Sequence, residues 1–194
     1  MLITGGKDSI YPSLLYTPGE GWTQLPALPV ETFFHCQVTQ EDTTFIIGGY
    51  QAGKPLGGTY RSTNGGQWEE VAPMLTRRQQ HACVEWDKKI VAIGGFDNDH
   101  ARLSSVESYD TAANKWSSLP PLPIPLDGMQ AVVYKDSLYV VGGRSQGFLR
   151  YKPVYELKPG SEKWVVVPGV TVDHALHRYA VNPPPIFNNL HCKE

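Results

Sequence analysis

Seven side chains in this sequence are suited to gripping a partner: Lys7, Phe33, Tyr50, Arg77, Arg78, Phe96 and Arg144. Four of them, Lys7, Tyr50, Phe96 and Arg144, each stand directly after a Gly-Gly pair. Guanidinium forks and aromatic faces are the usual anchors of a protein interface, so this set suits binding better than bond-making. His35, His81, His174 and His177 fall on or near strand-like runs, with Cys36 and Cys83 beside two of them, and both residue types ligate zinc or copper. No Cys-x-x-Cys or His-x-x-x-His spacing accompanies them, and a histidine or thiol packed on a strand is ordinary. No metal ligand and no cofactor is therefore assigned. The sequence has no nucleophilic serine elbow, and no two carboxylates can be identified that converge on one pocket, so no catalytic residue is assigned either.

The elements that must position these groups are set by an internal repeat. Gly5-Gly6, Gly48-Gly49, Gly94-Gly95 and Gly142-Gly143 follow one another at steps of 43, 46 and 48 residues. Trp22, Trp68, Trp116 and Trp164 keep the same beat at 46, 48 and 48. Each of the last three glycine pairs closes a short apolar run (Phe45-Ile46-Ile47, Ile90 to Ile93, Leu138 to Val141), and a tyrosine precedes each tryptophan: Tyr16, Tyr60, Tyr109 and Tyr155. After each tryptophan comes a proline break, at Pro26, Pro73, Pro120 and Pro168, where a strand loses ladder hydrogen bonds and the chain is expected to leave its sheet. Within the unit from Leu122 to Pro168, Gln130 to Tyr134 reads as one strand, Lys135-Asp136 as a tight hairpin and Ser137 to Val141 as the second strand. A third strand lies around Tyr155, and Lys158 to Ser161 turns into a fourth beginning at Trp164. The pattern is an all-β chain of about four units, each of four antiparallel strands. The glycines are expected to allow close approach between units, and the tyrosines and tryptophans to fill the gaps between sheets as core.

These residues resemble the kelch repeat, whose pattern is an apolar strand, Gly-Gly, a spaced tyrosine and a following tryptophan. The resemblance runs from Leu2 to about Asn182 and is most complete over Arg78, His81, Gly94, Gly95, Tyr109 and Trp116. It implies a β-propeller over residues 1–182, followed by a Pro-rich C-terminal tail over 183–194. The first unit lacks its innermost strand, and His177 to Val181 reads as a spare one. Two architectures fit: a ring of four blades closed by that C-terminal strand, or an open arc of a larger propeller, which the family favours because its propellers usually have more blades than this chain supplies.

The resemblance also implies a place for the gripping residues. Kelch adaptors hold acidic peptides at a basic and aromatic channel mouth, and Arg77, Arg78, Arg144, Lys7, Tyr50, Phe96 and Phe33 are the counterparts here. Aligned on the glycine pairs, Arg78 matches Thr32 and Leu126, and His81 matches His35 and Met129; Thr32 and Leu126 stand where an arginine is expected, so no particular relative's partner carries over. The implied function is a protein-interaction module for a peptide or protein ligand. In such relatives it follows a BTB dimerisation region and selects substrates for a cullin-type ubiquitin ligase, or it binds actin. Kelch-fold enzymes of the oxidase or sugar epimerase type are the alternative, with the channel as active site. The stretch Ser62-Thr63-Asn64-Gly65-Gly66-Gln67-Trp68 faintly resembles the Asp-box turn of sialidases, but it occurs once and reads as a hairpin turn.

Composition narrows the partners. The 194 residues carry a formal net charge of -2, with Lys+Arg 17 against Asp+Glu 19, which makes nucleic acid a poor partner. No apolar run approaches the length that spans a bilayer, and Met1 enters Leu2-Ile3-Thr4 without a leader pattern, so no membrane contact is expected. Cys36, Cys83 and Cys192 are three in number and widely spaced, and no Asn-x-Ser/Thr sequon occurs. The expectation is a reduced, cytoplasmic chain without a disulfide framework.

Overall fold

A run such as Lys89-Ile90-Val91-Ala92-Ile93 has no polar face, so a strand built from it must be covered on both sides. The computed structural model, which describes residues 2–3, 13–97, 101–145 and 153–171, meets that demand by stacking small sheets face to face. In chain order the strands are β1 (Leu2–Ile3), β2 (Leu14–Thr17) and β3 (Gly21–Gln24) in the first sheet. The second holds β4 (Cys36–Gln40), β5 (Thr43–Ile47), β8 (Thr59–Thr63) and β9 (Glu69–Val71), with a separate small hairpin of β6 (Tyr50–Gln51) and β7 (Lys54–Pro55) in its loop. The third holds β10 (Ala82–Trp86), β11 (Lys89–Ile93), β12 (Val106–Asp110) and β13 (Lys115–Leu119). The fourth holds β14 (Gln130–Tyr134), β15 (Ser137–Val141), β16 (Pro153–Leu157) and β17 (Val165–Thr171). All pairings are antiparallel between sequence neighbours within each sheet, so units two, three and four are each a four-stranded meander, as the repeat requires. Among the described residues the first unit shows three strands. Residues 177–181, expected to be a further innermost strand, lie outside the described residues, as do the tail, Lys7, His174, Gly5 and Gly6.

The two faces of β11 show how the stack is built. Ile90 and Ala92 pack towards the second unit, in a cluster with Phe45, Ile47, Met74, Tyr109 and Trp116. Val91 and Ile93 pack the other way, with Leu122, Leu126, Leu138, Val140 and Trp164 of the next unit's side. Among the described residues the core is therefore shared between units two, three and four.

The tight turns follow their residues. Asp87-Lys88 and Lys135-Asp136 join the first two strands of units three and four with positive φ at both positions (51° and 58°, 46° and 64°), the conformation that matches hairpin twist. Asn64 and Gly65, at φ 53° and 71°, turn β8 towards β9, so the Asn-Gly-Gly stretch is a hairpin turn. The glycine pairs are needed for space as well as conformation. A Cβ on Gly48 would sit 2.6 Å from the Arg78 carbonyl oxygen, and one on Gly94 would sit 2.5 Å from that of Leu126, each at the entrance to the next unit.

The repeated tryptophans join each unit to the one before. Trp68 Nε1 donates to the Pro26 carbonyl (3.1 Å), Trp116 Nε1 to that of Ala72 (2.9 Å) and Trp164 Nε1 to that of Pro120 (2.8 Å). The acceptor is in each case the segment by which the chain leaves the preceding sheet. Ala72 is held twice, since its N–H donates to Asn114 Oδ1, which also accepts from the Tyr109 hydroxyl.

Two expectations are corrected. Tyr16 and Trp22 are not core: Trp22 is 51% exposed, against 3% for Trp116 and 5% for Trp164, because no preceding sheet among the described residues covers that face. Nor does the chain leave the fourth sheet at Pro168. Strand β17 runs through it to Thr171, with a register shift between Pro153 and Tyr155, and an outermost strand with a bulge tolerates the missing donor.

Replacing Trp116 by Phe is expected to cost about 2 kcal/mol or more, because it strips a buried carbonyl of its donor and opens a gap between sheets. Trp22→Phe is expected to stay within about 0.5 kcal/mol. Urea unfolding of the two variants checks the difference.

Candidate functional site

Units two, three and four each enter their first strand through a short segment that packs beside that of a neighbouring unit. In units two, three and four these segments are Thr32 to His35, Arg78 to His81 and Leu126 to Met129. The residue after the glycine pair bridges back to the segment of its own unit, giving Phe33 with Tyr50, Gln79 with Phe96 and Asp127 with Arg144. Successive segments also bond to each other. Gln80 N–H donates to the Phe34 carbonyl (3.1 Å) and Gly128 N–H to that of Gln80 (3.0 Å). All three of these residues hold φ between 51° and 64°, and the Gln80 and Gly128 N–H groups point at the neighbouring unit. The second glycine of each pair adds a further bond between units: Gly49 N–H to the Arg78 carbonyl (2.9 Å) and Gly95 N–H to that of Leu126 (2.8 Å).

Two chemically distinct halves meet on this frame. On one side Phe33 stands edge-on to Tyr50 with ring centroids 5.3 Å apart and edge-on to Phe34 at 5.1 Å, and Phe34 is exposed. On the other, the buried carboxylate of Asp127 takes Arg102 Nε on Oδ1, and Arg144 Nε (3.1 Å) and Nη2 on Oδ2. Arg144 Nη2 also donates to Gln80 Oε1 at 3.1 Å, and the Arg102 guanidinium lies 5.0 Å from the Phe96 ring centroid. Two guanidinium groups thus share one carboxylate. The Arg144 side chain is 31% exposed.

The residues singled out in the sequence separate into three groups. Phe33, Tyr50, Phe96 and Arg144 lie along the bridged entry segments of units two to four. Arg77 is exposed beside Gly57, and Lys7 lies outside the described residues. Arg78 departs from the expected role, because its side chain is fully buried. Its Nη1 donates to the carbonyls of Gly94 (2.9 Å) and Ser105 (3.0 Å), and its Nη2 to Ser105 Oγ (3.1 Å) and Glu107 Oε1. Glu107 is buried as well and accepts the N–H groups of Leu75 (2.8 Å) and Thr76 (3.1 Å), so the pair ties the crossing from unit two to the strands of unit three. Burial lowers the Arg78 guanidinium from its ordinary value, and the charge and hydrogen bond of Glu107 oppose that shift. This arginine belongs to the buried junction between units two and three.

Sequence reasoning missed Arg102, Asp127, Gln80 and Phe34. Asp127 was within reach, since alignment on the glycine pairs places it with Phe33 and Gln79. Arg102 lies in a loop with no counterpart in the repeat and gave no signal.

A second correction concerns the thiols. Cys36 on β4 and Cys83 on β10 form a disulfide with Cα atoms 5.9 Å apart. Three widely spaced cysteines gave the expectation of a reduced chain, but the separation of 47 residues is one repeat length, and one repeat carries a residue to the matching place on the adjacent inner strand.

Comparison with known proteins agrees with this geometry. Residues 17–172 match the family model described as the KLHDC2/KLHL20/DRC7 Kelch-repeats domain. The chain belongs to the kelch-repeat family. It is similar to Kelch-like protein 33 of Homo sapiens, 35% identical over 152 residues, covering 72% of this chain and 28% of that protein. To Kelch-like protein 35 of Mus musculus it is 31% identical over 146 residues (74% and 25%), and to Beta-scruin of Limulus polyphemus 25% identical over 188 (84% and 20%). The chain thus spans about a quarter of the length of the curated relatives it matches. Among solved structures, that titled "Structure of YjhT" superposes with a TM-score of 0.65 at 17% identity, covering 77% of this chain and 54% of that one, and supports the kelch propeller fold alone.

Within this kelch frame, Arg78→Ala is expected to lower stability by about 3–5 kcal/mol, because it leaves a buried carboxylate unpaired. Arg77→Ala, at the exposed neighbour, is expected to change it by about 0.5 kcal/mol or less. Urea denaturation followed by tryptophan fluorescence distinguishes the two.

Proposed function

We propose that this kelch unit is a protein-interaction module that takes an acidic peptide or protein segment across the channel mouth. The observation that carries the reading is the pairing of Arg102 and Arg144 on the single carboxylate of Asp127, next to the aromatic set Phe33, Phe34 and Tyr50. A ligand carboxylate approaching Arg144 meets a guanidinium already held in place, which reduces the ordering cost of binding. An apolar residue beside that carboxylate meets the exposed Phe34 ring.

The two buried carboxylates among the described residues argue against acid–base chemistry at this end. Asp127 is saturated by arginines, and Glu107 by Arg78 and two backbone amides. In a longer protein the module would act as the substrate-recognition part of a cytoplasmic cullin-type ubiquitin ligase adaptor, a role supported by similarity to Kelch-like proteins. Actin is the second protein ligand that the family resemblance brings forward. Among the described residues no helix is long and apolar enough to cross a membrane.

The test is a display selection of random peptides on the immobilised chain, followed by fluorescence anisotropy of the enriched peptides. Enrichment of Asp and Glu next to apolar residues is expected. Arg144→Ala is expected to weaken such a peptide about tenfold or more, while Arg61→Ala, a half-buried arginine on β8 paired with Glu69, leaves it unchanged. Enrichment without acidic residues, or equal effects of the two substitutions, would contradict the proposal.

A further inference from the structure

The Cys36–Cys83 pair lies in a small closed circuit at the mouth. From Phe34 the chain runs two residues to Cys36, across to Cys83, back three residues to Gln80, and from the Gln80 N–H to the Phe34 carbonyl at 3.1 Å. One edge of the circuit is the bond between thiols and the opposite edge is a single backbone hydrogen bond between units. Phe34 belongs to the aromatic half of the mouth through Phe33, and Gln80 to the cationic half through Arg144 Nη2. Both cysteines are half-buried on inner strands, and Cys83 packs against the core shared by units two and three. Nothing in the binding chemistry above uses them.

We infer that Cys36 and Cys83 are a redox-addressable link between units two and three, whose state sets how firmly the two halves of the mouth are held together. The consequence for ligands rests on the mouth reading above; the pairing of the thiols does not. The link closes by exchange with a small disulfide such as glutathione disulfide. One cysteine thiolate attacks that disulfide, forms a mixed disulfide and releases one glutathione thiolate. The second cysteine thiolate then attacks the protein sulfur of the mixed disulfide and releases the second glutathione. Two protein thiols are oxidised, one glutathione disulfide is reduced to two thiols, and excess reduced glutathione reverses both steps.

The matching of Cys36 and Cys83 at one repeat length makes this a two-thiol device. Oxidation ties the ends of a 47-residue loop, which removes freedom from the unfolded chain, so the oxidised form melts higher. It also shields the Gln80 and Gly49 N–H groups, whose acceptors lie across the same junction.

The experiment equilibrates the whole chain in glutathione buffers of graded ratio, quenches with acid, alkylates and maps the cysteines by mass spectrometry. Melting and deuterium uptake are measured at both extremes. Cys36 and Cys83 are expected to convert together in one step, giving a peptide linked through both. Oxidation is expected to raise Tm by about 5–15 °C. It is also expected to slow deuterium uptake in peptides covering Gly49 and Gln80 without altering those covering β15. Cys83→Ser is expected to melt like the reduced chain and to ignore the buffer. Independent conversion of the two cysteines to mixed glutathione disulfides would overturn the pairing. Paired conversion with unchanged uptake at Gly49 and Gln80 would overturn the link to the mouth. The wild-type chain alone decides both points, and the peptide selection above fails or succeeds separately.

Discussion

The hydrogen bond from the Trp68, Trp116 and Trp164 indoles to the exit carbonyl of the preceding unit is the interaction on which the rest of this structure depends. A single four-stranded sheet of this composition has apolar residues on both faces and cannot bury either alone. Stacking solves the burial problem but leaves the chain's crossing between sheets with polar groups in a dry interface. Trp68, Trp116 and Trp164 satisfy one such carbonyl each while filling the gap with the largest side chain available. The glycine pairs then bring the next unit close enough for that gap to be filled, since a Cβ at Gly48 or Gly94 would strike the neighbouring backbone.

The mouth inherits its rigidity from this stacking. Its residues come from three units and from loops, yet the left-handed positions at Phe34, Gln80 and Gly128 connect those units by backbone bonds. The buried Arg78–Glu107 pair anchors the crossing segment from below, and Arg102 and Arg144 converge on Asp127 above. An exposed cation held in this way is a better recognition element than a free surface arginine, because little freedom remains to be lost when a ligand arrives.

Most of the fold was legible because two markers, Gly-Gly and Trp, kept the same period, and because the apolar runs before each glycine pair admit only strands covered on both faces. What escaped was information that depends on which units touch. Trp22 carries the same sequence signal as Trp116, yet its exposure is set by the absence of a covering sheet among the described residues. Arg78 reads as a loop charge because its partner Glu107 is 29 residues away on a strand whose other residues look ordinary. The thiols were misread for the same reason: their spacing was judged along the chain, when the repeat length was the relevant ruler. At the site, Phe33, Tyr50, Phe96 and Arg144 were found through the glycine pairs, whereas Arg102 sits outside the repeat and only the fold could bring it to Asp127.

The most direct test of the claim that indole-to-carbonyl bonds join successive units is hydrogen exchange of the individual tryptophan Nε1–H groups by NMR. The structure predicts that the Trp68, Trp116 and Trp164 indole protons exchange slowly, Trp116 and Trp164 most of all, while the Trp22 proton exchanges at the rate of an exposed side chain. Equal, fast exchange at all four positions would contradict the account, because the units would then be held by packing alone.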